Sequence, residues 1–250
     1  MNILFEGVNG SGKTTIINAL TEKLEKMGLK YERISDLEAN TPLNPVLKMM
    51  FADSVFLEMS KDFKTSLFES LVLAADHHYL QEMHRNDKGI TLYDRDFISV
   101  LAYQKDIIKK DYPDGDVFFK SFREIMMYQL KDLDLLCYVN IPIEENIKRT
   151  ETRDKRKFSE EEKESIKSLK NNMEEEINNY CESSKTPLLV LDGRKNPEQN
   201  ANEIIMHMFG KKKSNTTRIT KEDDKILETK ANEPVKENEI VKDDSITEGR

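Results

Sequence analysis

The sequence predicts an α/β fold: a five-stranded parallel sheet sandwiched between helices. Three observations carry this. Five short apolar runs, 3–6, 30–34, 90–93, 135–140 and 188–192, read as strands, and long helical stretches separate them. Strands that alternate with helices imply a parallel sheet covered on both faces. The first run leads directly into Gly7-Val8-Asn9-Gly10-Ser11-Gly12-Lys13-Thr14, a glycine-rich loop between a strand and a helix. The length, 250 residues with 37% hydrophobic content, suits one such domain plus an appended segment.

Taken in order, the elements follow from local pattern. After the glycine-rich loop, Ile16, Ile17, Leu20 and Leu24 recur at helical spacing. Within 66–83, Leu67, Leu71, Ala74, Ala75 and Tyr79 predict a helix with an apolar stripe. The third strand closes on Tyr93-Asp94-Arg95. The fourth holds Cys137, which is expected to pack as a small hydrophobe. Pro142 just beyond it suits the first turn of a helix. The run Arg149-Thr150-Glu151-Thr152-Arg153-Asp154-Lys155-Arg156-Lys157 is strongly basic. Residues 157–179 read as an exposed helix with one packing face of Phe158, Ile166, Leu169, Met173 and Ile177. Composition shifts at Gly210. Of the last 40 residues 20 are charged, 10 basic and 10 acidic, with no aromatic residue. Such a segment buries too little apolar area to offset ordering entropy, so residues 210–250 are expected to be a disordered tail behind a domain of 1–209.

The glycine-rich loop complies with G-x-x-x-x-G-K-[ST], so the fold is a three-layer P-loop fold. Its glycines let backbone N–H groups wrap a phosphate, and the helix N-terminus adds partial positive charge. Gly7, Val8, Asn9, Gly10, Ser11, Gly12, Lys13, Thr14 and Thr15 are the candidate ATP-binding residues. Lys13 would neutralise the β/γ-phosphates and the Thr14 hydroxyl would ligate Mg²⁺. Ligands of open α/β sheets bind beyond the carboxyl ends of the strands. There Asp94 could hold Mg²⁺ or its waters, and Arg95 could grip a phosphate. The segment 149–157 could act as a lid that brings cations to a transferring phosphoryl group and excludes water.

Other classes are disfavoured. A net charge of −8 argues against general nucleic-acid binding. No apolar run approaches the ~20 residues of a membrane span. The P-loop starts at residue 7, leaving no room for a signal peptide. Two cysteines make no disulfide framework, which favours a reducing, cytoplasmic setting. No N-K-x-D guanine motif occurs. Adjacent His77 and His78 on a helix would point about 100° apart, which disfavours a shared metal.

Phe5-Glu6-Gly7 through Thr15, Asp94-Arg95 leading into Leu101-Ala102-Tyr103-Gln104, and the basic segment from Arg149 together resemble thymidylate kinases, of the nucleoside-monophosphate kinase group. The resemblance spans roughly residues 1–209, including Leu188–Gly193 as last strand and start of an adenine-side loop. It implies an enzyme that uses ATP and Mg²⁺ to convert a deoxynucleoside monophosphate, dTMP, to the diphosphate in nucleotide biosynthesis. It also implies a homodimer. Arg95 would bind the acceptor's 5′-phosphate, Tyr103 would lie against the sugar, and Gln104 would line the acceptor pocket. Arg33 corresponds to an acceptor-side arginine, and Thr41-Pro42-Leu43 to a remnant of the segment after it. Because the middle of the P-loop, Val8 to Ser11, carries no basic residue, the resemblance assigns the catalytic cation to Arg153 together with Arg149 or Arg156.

The sequence departs from that pattern in four places. Asn9 stands where the family has an aspartate. The element after the second strand is reduced to Arg33-Ile34-Ser35. Asp96 replaces the tyrosine after D-R. Leu73 and His77 stand where a base-stacking Phe and a base-contacting Arg would be. Two alternatives follow. One is a deoxynucleoside kinase acting on a 5′-hydroxyl, with Asp36 or Glu38 as base. The other is a P-loop regulator that binds nucleotide without turnover.

Overall fold

The structure is a computed structural model that describes residues 1–35, 41–51, 63–84, 89–111, 113–129, 133–210 and 219. The described elements are β1 (Asn2–Glu6), α1 (Lys13–Lys26), β2 (Tyr31–Ser35), α2 (Asn44–Phe51), α3 (Phe63–His84), β3 (Ile90–Asp94), α4 (Phe97–Asp111), α5 (Gly115–Gln129), β4 (Leu135–Asn140), α6 (Ile143–Asp154), α7 (Glu160–Ser184), β5 (Leu188–Asp192) and α8 (Pro197–Phe209).

All five strands are parallel, in the order β2-β3-β1-β4-β5. The chain leaves the central β1 for one edge, returns through β3, and continues on the other side at β4. The carboxyl end of β1 is therefore the switch point where open parallel sheets bind ligands. Register makes that end level. Phe5 and Ser35 both pair with Asp94, and Glu6 pairs with Tyr138.

The pleat divides the core in two. Ile3 and Phe5 face α1 and α8, where Ile16, Ile17, Leu20, Leu24, Ala201 and Ile204 are buried. Leu4, on the alternate face, joins Tyr93, Leu136 and Tyr138 under α3, α4, α5 and α7. The second face also buries charge. Glu176 of α7 is fully buried and takes a bidentate pair from Arg123 of α5, at 2.6 and 2.5 Å, while Lys105 of α4 approaches at 3.4 Å. That triad ties three helices together, since removing one partner would strand a buried charge. Both cysteines are buried; burial raises the Cys137 thiol strongly and pushes Cys181 up to about 12.

One expectation needs correcting. The α3 stripe is displaced: Leu71, Ala75 and Tyr79 are exposed, whereas Ser70, Leu73, Ala74, Asp76, His77 and Leu80 are buried. The buried face carries polar groups because its partners are polar: Thr41 Oγ1 donates to Asp76, and His77 and Gln81 meet Asp96. Ile219, inside the expected tail, is buried in the same apolar cluster as Met173, Ile177 and Tyr180. The remaining tail positions, 211–218 and 220–250, lie outside the described residues, as do Asp36 and Glu38. No helix among the described residues is long and apolar enough to cross a membrane.

Candidate active site

The P-loop leaves β1 and returns into α1 through two left-handed glycines, Gly10 (φ +82°) and Gly12 (φ +96°). The Ser11 amide closes the turn on the Val8 carbonyl at 3.1 Å. Space is as tight as conformation: a β-carbon on Gly10 would stand 2.8 Å from Thr150 Oγ1. Ser11 Oγ is buried with no hydrogen-bond partner among the described residues. An orphaned hydroxyl inside a loop of glycine amides at a helix N-terminus fits an anion. Thr14 and Thr15 are exposed on the first turn of α1, and Val8 packs in the core.

Lys13 is buried, and its ammonium pairs with Asp94 at the end of β3. Arg33, from the neighbouring β2, holds the other Asp94 oxygen at 2.5 Å and Asn18 Oδ1 of α1 at 2.9 Å. Burial alone would raise the Asp94 carboxyl; Lys13 and Arg33 outweigh it and hold Asp94 below the usual carboxylate range. Burial and the nearby Arg95 lower the Lys13 ammonium despite Asp94.

Arg95 adopts a left-handed backbone (φ +72°), with its amide on the Phe5 carbonyl at 3.0 Å. For a non-glycine residue that conformation costs roughly 1–2 kcal/mol. It turns the guanidinium back over the P-loop: Nη2 donates to Asn9 Oδ1 at 2.7 Å, Nη1 donates to Ser99 Oγ at 2.9 Å, and the group lies 5.8 Å from the centre of the Tyr103 ring. Asn9, Lys13, Arg33, Asp94, Arg95 and Tyr103 thus form one linked constellation. Gln104 is buried on the following residue of α4, and burial raises the Tyr103 phenol.

Leu73 and His77 are buried on α3. His77 Nδ1 lies 2.8 Å from Asp96 Oδ1, and Gln81 Nε2, one turn on, donates to Asp96 Oδ2 at 2.9 Å. Asp96 also accepts from the Phe97 amide at 2.6 Å, at the start of α4. His78 is exposed, so the two adjacent histidines lie on different faces of the helix.

The lid segment divides. Arg149, on α6, reaches the P-loop region: Nη1 donates to the Gly193 carbonyl at 3.1 Å, and a β-carbon on Gly12 would meet it at 3.8 Å. Arg153 is half exposed and pairs with Asp154, and its charge reaches Tyr103. Arg156 is not brought to the site: it pairs with Glu162 at 2.6 Å and covers the Phe158 ring at 4.5 Å.

Several further residues build this site to which sequence reading assigns no individual role. Glu6 is fully buried behind the P-loop and accepts from the Asp96 and Ser99 amides and the Ser99 hydroxyl. Asn146 Nδ2, on α6, donates to the Asn9 carbonyl, and the Thr150 hydroxyl one turn on, which donates to the Asn146 carbonyl at 2.9 Å, lies 3.4 Å from that same oxygen. Gly193 lies so close to the P-loop that a β-carbon there would collide with the Ser11 carbonyl. A signal existed for two of these: Asn146 and Thr150 share the i,i+4 face of a predicted helix. Glu6 stands in the Phe5-Glu6-Gly7 motif that carries the resemblance, but nothing in the sequence shows that it reaches Ser99.

Glycine loop, buried lysine and parallel order together define a P-loop nucleotide-binding fold. Comparison with known proteins narrows the class. Residues 5–204 match the family model described as thymidylate kinase, so the chain belongs to the thymidylate kinase family. It is similar to the probable thymidylate kinase of Methanobrevibacter smithii, 32% identical over 108 residues, covering 42% of this chain and about half (52%) of that protein. It is also similar to the thymidylate kinase of Fervidobacterium nodosum, 24% identical over 82% of this chain and 96% of that one. A solved structure of deoxyadenosine kinase from M. mycoides with bound dATP shares the fold, with a TM-score of 0.57 at 19% identity, over 83% of this chain and 99% of that one.

Proposed function

We propose that this protein transfers the γ-phosphoryl group of ATP to a deoxynucleoside monophosphate, dTMP, yielding the diphosphate. The observation that supports this most is the placement of Arg95. A strained backbone turns a guanidinium over the P-loop, beside Asn9 and Tyr103, where an acceptor phosphate would meet the end of a bound triphosphate. An acceptor phosphate oxygen is already anionic, so positioning and charge neutralisation suffice and no general base is needed.

In this reading the P-loop amides, Ser11 and Lys13 hold the triphosphate. Arg33 and Arg95 hold the acceptor phosphate. Leu73, His77, Tyr103 and Gln104 line the acceptor side, and Arg149 and Arg153 close over the developing charge. Thr14 and Asp94 offer the hydroxyl and carboxylate oxygens that suit Mg²⁺, which neutralises phosphate charge when bound. Asp94 would hold the ion or its waters, and the Lys13 ammonium would hold the phosphates. The reaction is expected in the cytoplasm, by a homodimer.

The test is turnover with Mg-ATP against a panel of nucleosides and their monophosphates. ADP release with dTMP, lost by a factor of about 10²–10³ in Lys13→Ala and in Arg149→Ala, is expected for electrostatic deletions of this kind. Turnover with thymidine but not dTMP would replace this reading by a deoxynucleoside kinase. ATP binding without turnover on any acceptor would leave a nucleotide-binding regulator.

A further inference from the structure

Glu6 has no role in the constellation above, yet it is the fully buried carboxylate directly behind it. A carboxylate buried for packing alone would be a poor choice, since burial disfavours its charge. Its bonds say what it is for. Oε1 accepts the amides of Asp96 (3.1 Å) and Ser99 (3.2 Å), and Oε2 accepts the Ser99 hydroxyl at 2.6 Å. The Ser99 proton is thereby committed to Glu6, which leaves an oxygen lone pair pointing away from it. That oxygen accepts Arg95 Nη1 at 2.9 Å, and Arg95 Nη2 continues to Asn9 at 2.7 Å. The chain Glu6–Ser99–Arg95–Asn9 runs from the end of β1 through the first turn of α4 and back to the loop that follows β1.

We infer that Glu6 is a positioning residue: its ionised carboxylate orients the Ser99 hydroxyl so that Arg95 is held over the P-loop to receive the acceptor's phosphate. This rests on the phosphotransfer reading for the identity of the acceptor, and on the bonds just given for the relay. The charged groups facing Glu6 are Arg95 and Lys13, with the Tyr103 phenol and Asp94 behind them. Asp96 contributes its amide to Glu6 and its side chain to His77. Burial raises the Glu6 carboxyl to about 7 against the pull of Arg95, Ser99 and Lys13. Protonation of Glu6 puts a donor where Ser99 needs an acceptor, so the Ser99 proton must turn and the hydroxyl no longer holds a fixed lone pair toward Arg95. The relay is therefore intact above about pH 7 and broken below it.

The experiment compares wild type, Glu6→Gln and Ser99→Ala. The KM for the monophosphate should rise on the order of tenfold in both variants, the scale of one hydrogen bond to a charged group, with the KM for ATP within about twofold. Wild-type acceptor KM should rise as pH falls through about 7; in Glu6→Gln that inflection disappears, and only the titration of the substrate phosphate near pH 6 remains. Equal acceptor KM values and pH profiles in all three proteins would overturn the relay. A variant that failed to fold would show it by losing ATP binding, and Ser99→Ala carries the test if Glu6→Gln does so. An activity-free measurement separates this inference from the phosphotransfer reading. In ¹⁵N spectra the Asp96 and Ser99 amides and the Arg95 Nε should titrate together near pH 7 in wild type and not in Glu6→Gln. If no monophosphate binds but these resonances move, the acceptor assignment fails and the relay stands; if they are still, the relay fails.

Discussion

At the scale of single residues, the site is built from groups held in costly states. Arg95 carries backbone strain, Lys13 is a buried ammonium, and Glu6 is a buried carboxylate. Glu6 makes the cost measurable. Its carboxyl sits at about 7 in the folded protein against an ordinary 4.5, so between those values the native state holds more protons than the unfolded chain. Its contribution to stability is fully present below about pH 4.5 and is lost as pH rises through about 7, by about 3 kcal/mol on the linkage scale. Glu6→Gln removes that titration. The unfolding free energy of Glu6→Gln minus that of wild type, from urea melts, should therefore shift toward the variant by up to about 3 kcal/mol between pH 4.5 and 8. A constant difference would mean that Glu6 does not titrate in this range. Gly10→Ala belongs to the same scale. The left-handed φ of +82° and the Thr150 hydroxyl at 2.8 Å leave no place for a methyl, so the loop must shift. ATP affinity, read by calorimetry, should fall about tenfold or more, as expected when about 1–2 kcal/mol of backbone strain is forced into the binding loop.

At the scale of elements, what the sequence discloses depends on which partner a residue finds. The inner strands are legible because parallel strands buried on both faces read as apolar runs, as Leu135–Asn140, buried throughout, shows; β2, at the sheet edge, buries Ile34 alone. The P-loop is legible because its spacing is set by one ligand. The α3 face is not legible, because an apolar count assigns Leu71 and Tyr79 inward, while Thr41 and Asp96 draw Asp76, His77 and Gln81 in. Likewise the basic lid announces cations without saying where they point. Arg149, within α6, finds the Gly193 carbonyl, whereas Arg156, in the turn between the left-handed Lys155 and the Ser159 cap of α7, finds Glu162. That restart is a full capping box: the Ser159 hydroxyl accepts the Glu162 amide at 3.2 Å, and Glu162 accepts the Ser159 amide at 2.8 Å. The corner is also held by Glu151, which takes the Phe158 amide at 2.9 Å and the Lys157 ammonium at 2.6 Å. Ser159→Ala should cost about 1 kcal/mol of stability, the usual worth of such a cap. If the corner sets the lid, kcat should also fall while the KM for ATP holds. Unchanged stability would show that Glu151 alone fixes the turn.

At the scale of the whole molecule, the sheet separates two cores of different completeness. The face toward α1 and α8 is closed by two helices packed on one another. The other face lies under α3, α4, α5 and α7, and a residue beyond α8 is added to it: Ile219, 7% exposed. Its backbone is read as well as its side chain, because the Ile219 amide donates to Asn178 Oδ1 at 2.7 Å and its carbonyl accepts from Asn178 Nδ2 at 3.5 Å. Among the described residues beyond Gly210 it is Ile219 that reaches the core, so this anchor should carry a measurable share of stability. Burying one isoleucine is worth roughly 1.5–3 kcal/mol. Ile219→Ser should lower the unfolding free energy by about 2 kcal/mol, and Asn178→Ala by about 1 kcal/mol for the bonds it makes. Because the two residues form one contact, the double variant should lose less than the sum, by at least about 0.5 kcal/mol. A chain ending at Gly210 should lose about as much as Ile219→Ser, with ATP turnover intact, since the anchor lies on α7 and not at the P-loop. A truncated protein as stable as the full chain would show that the second core closes without the tail.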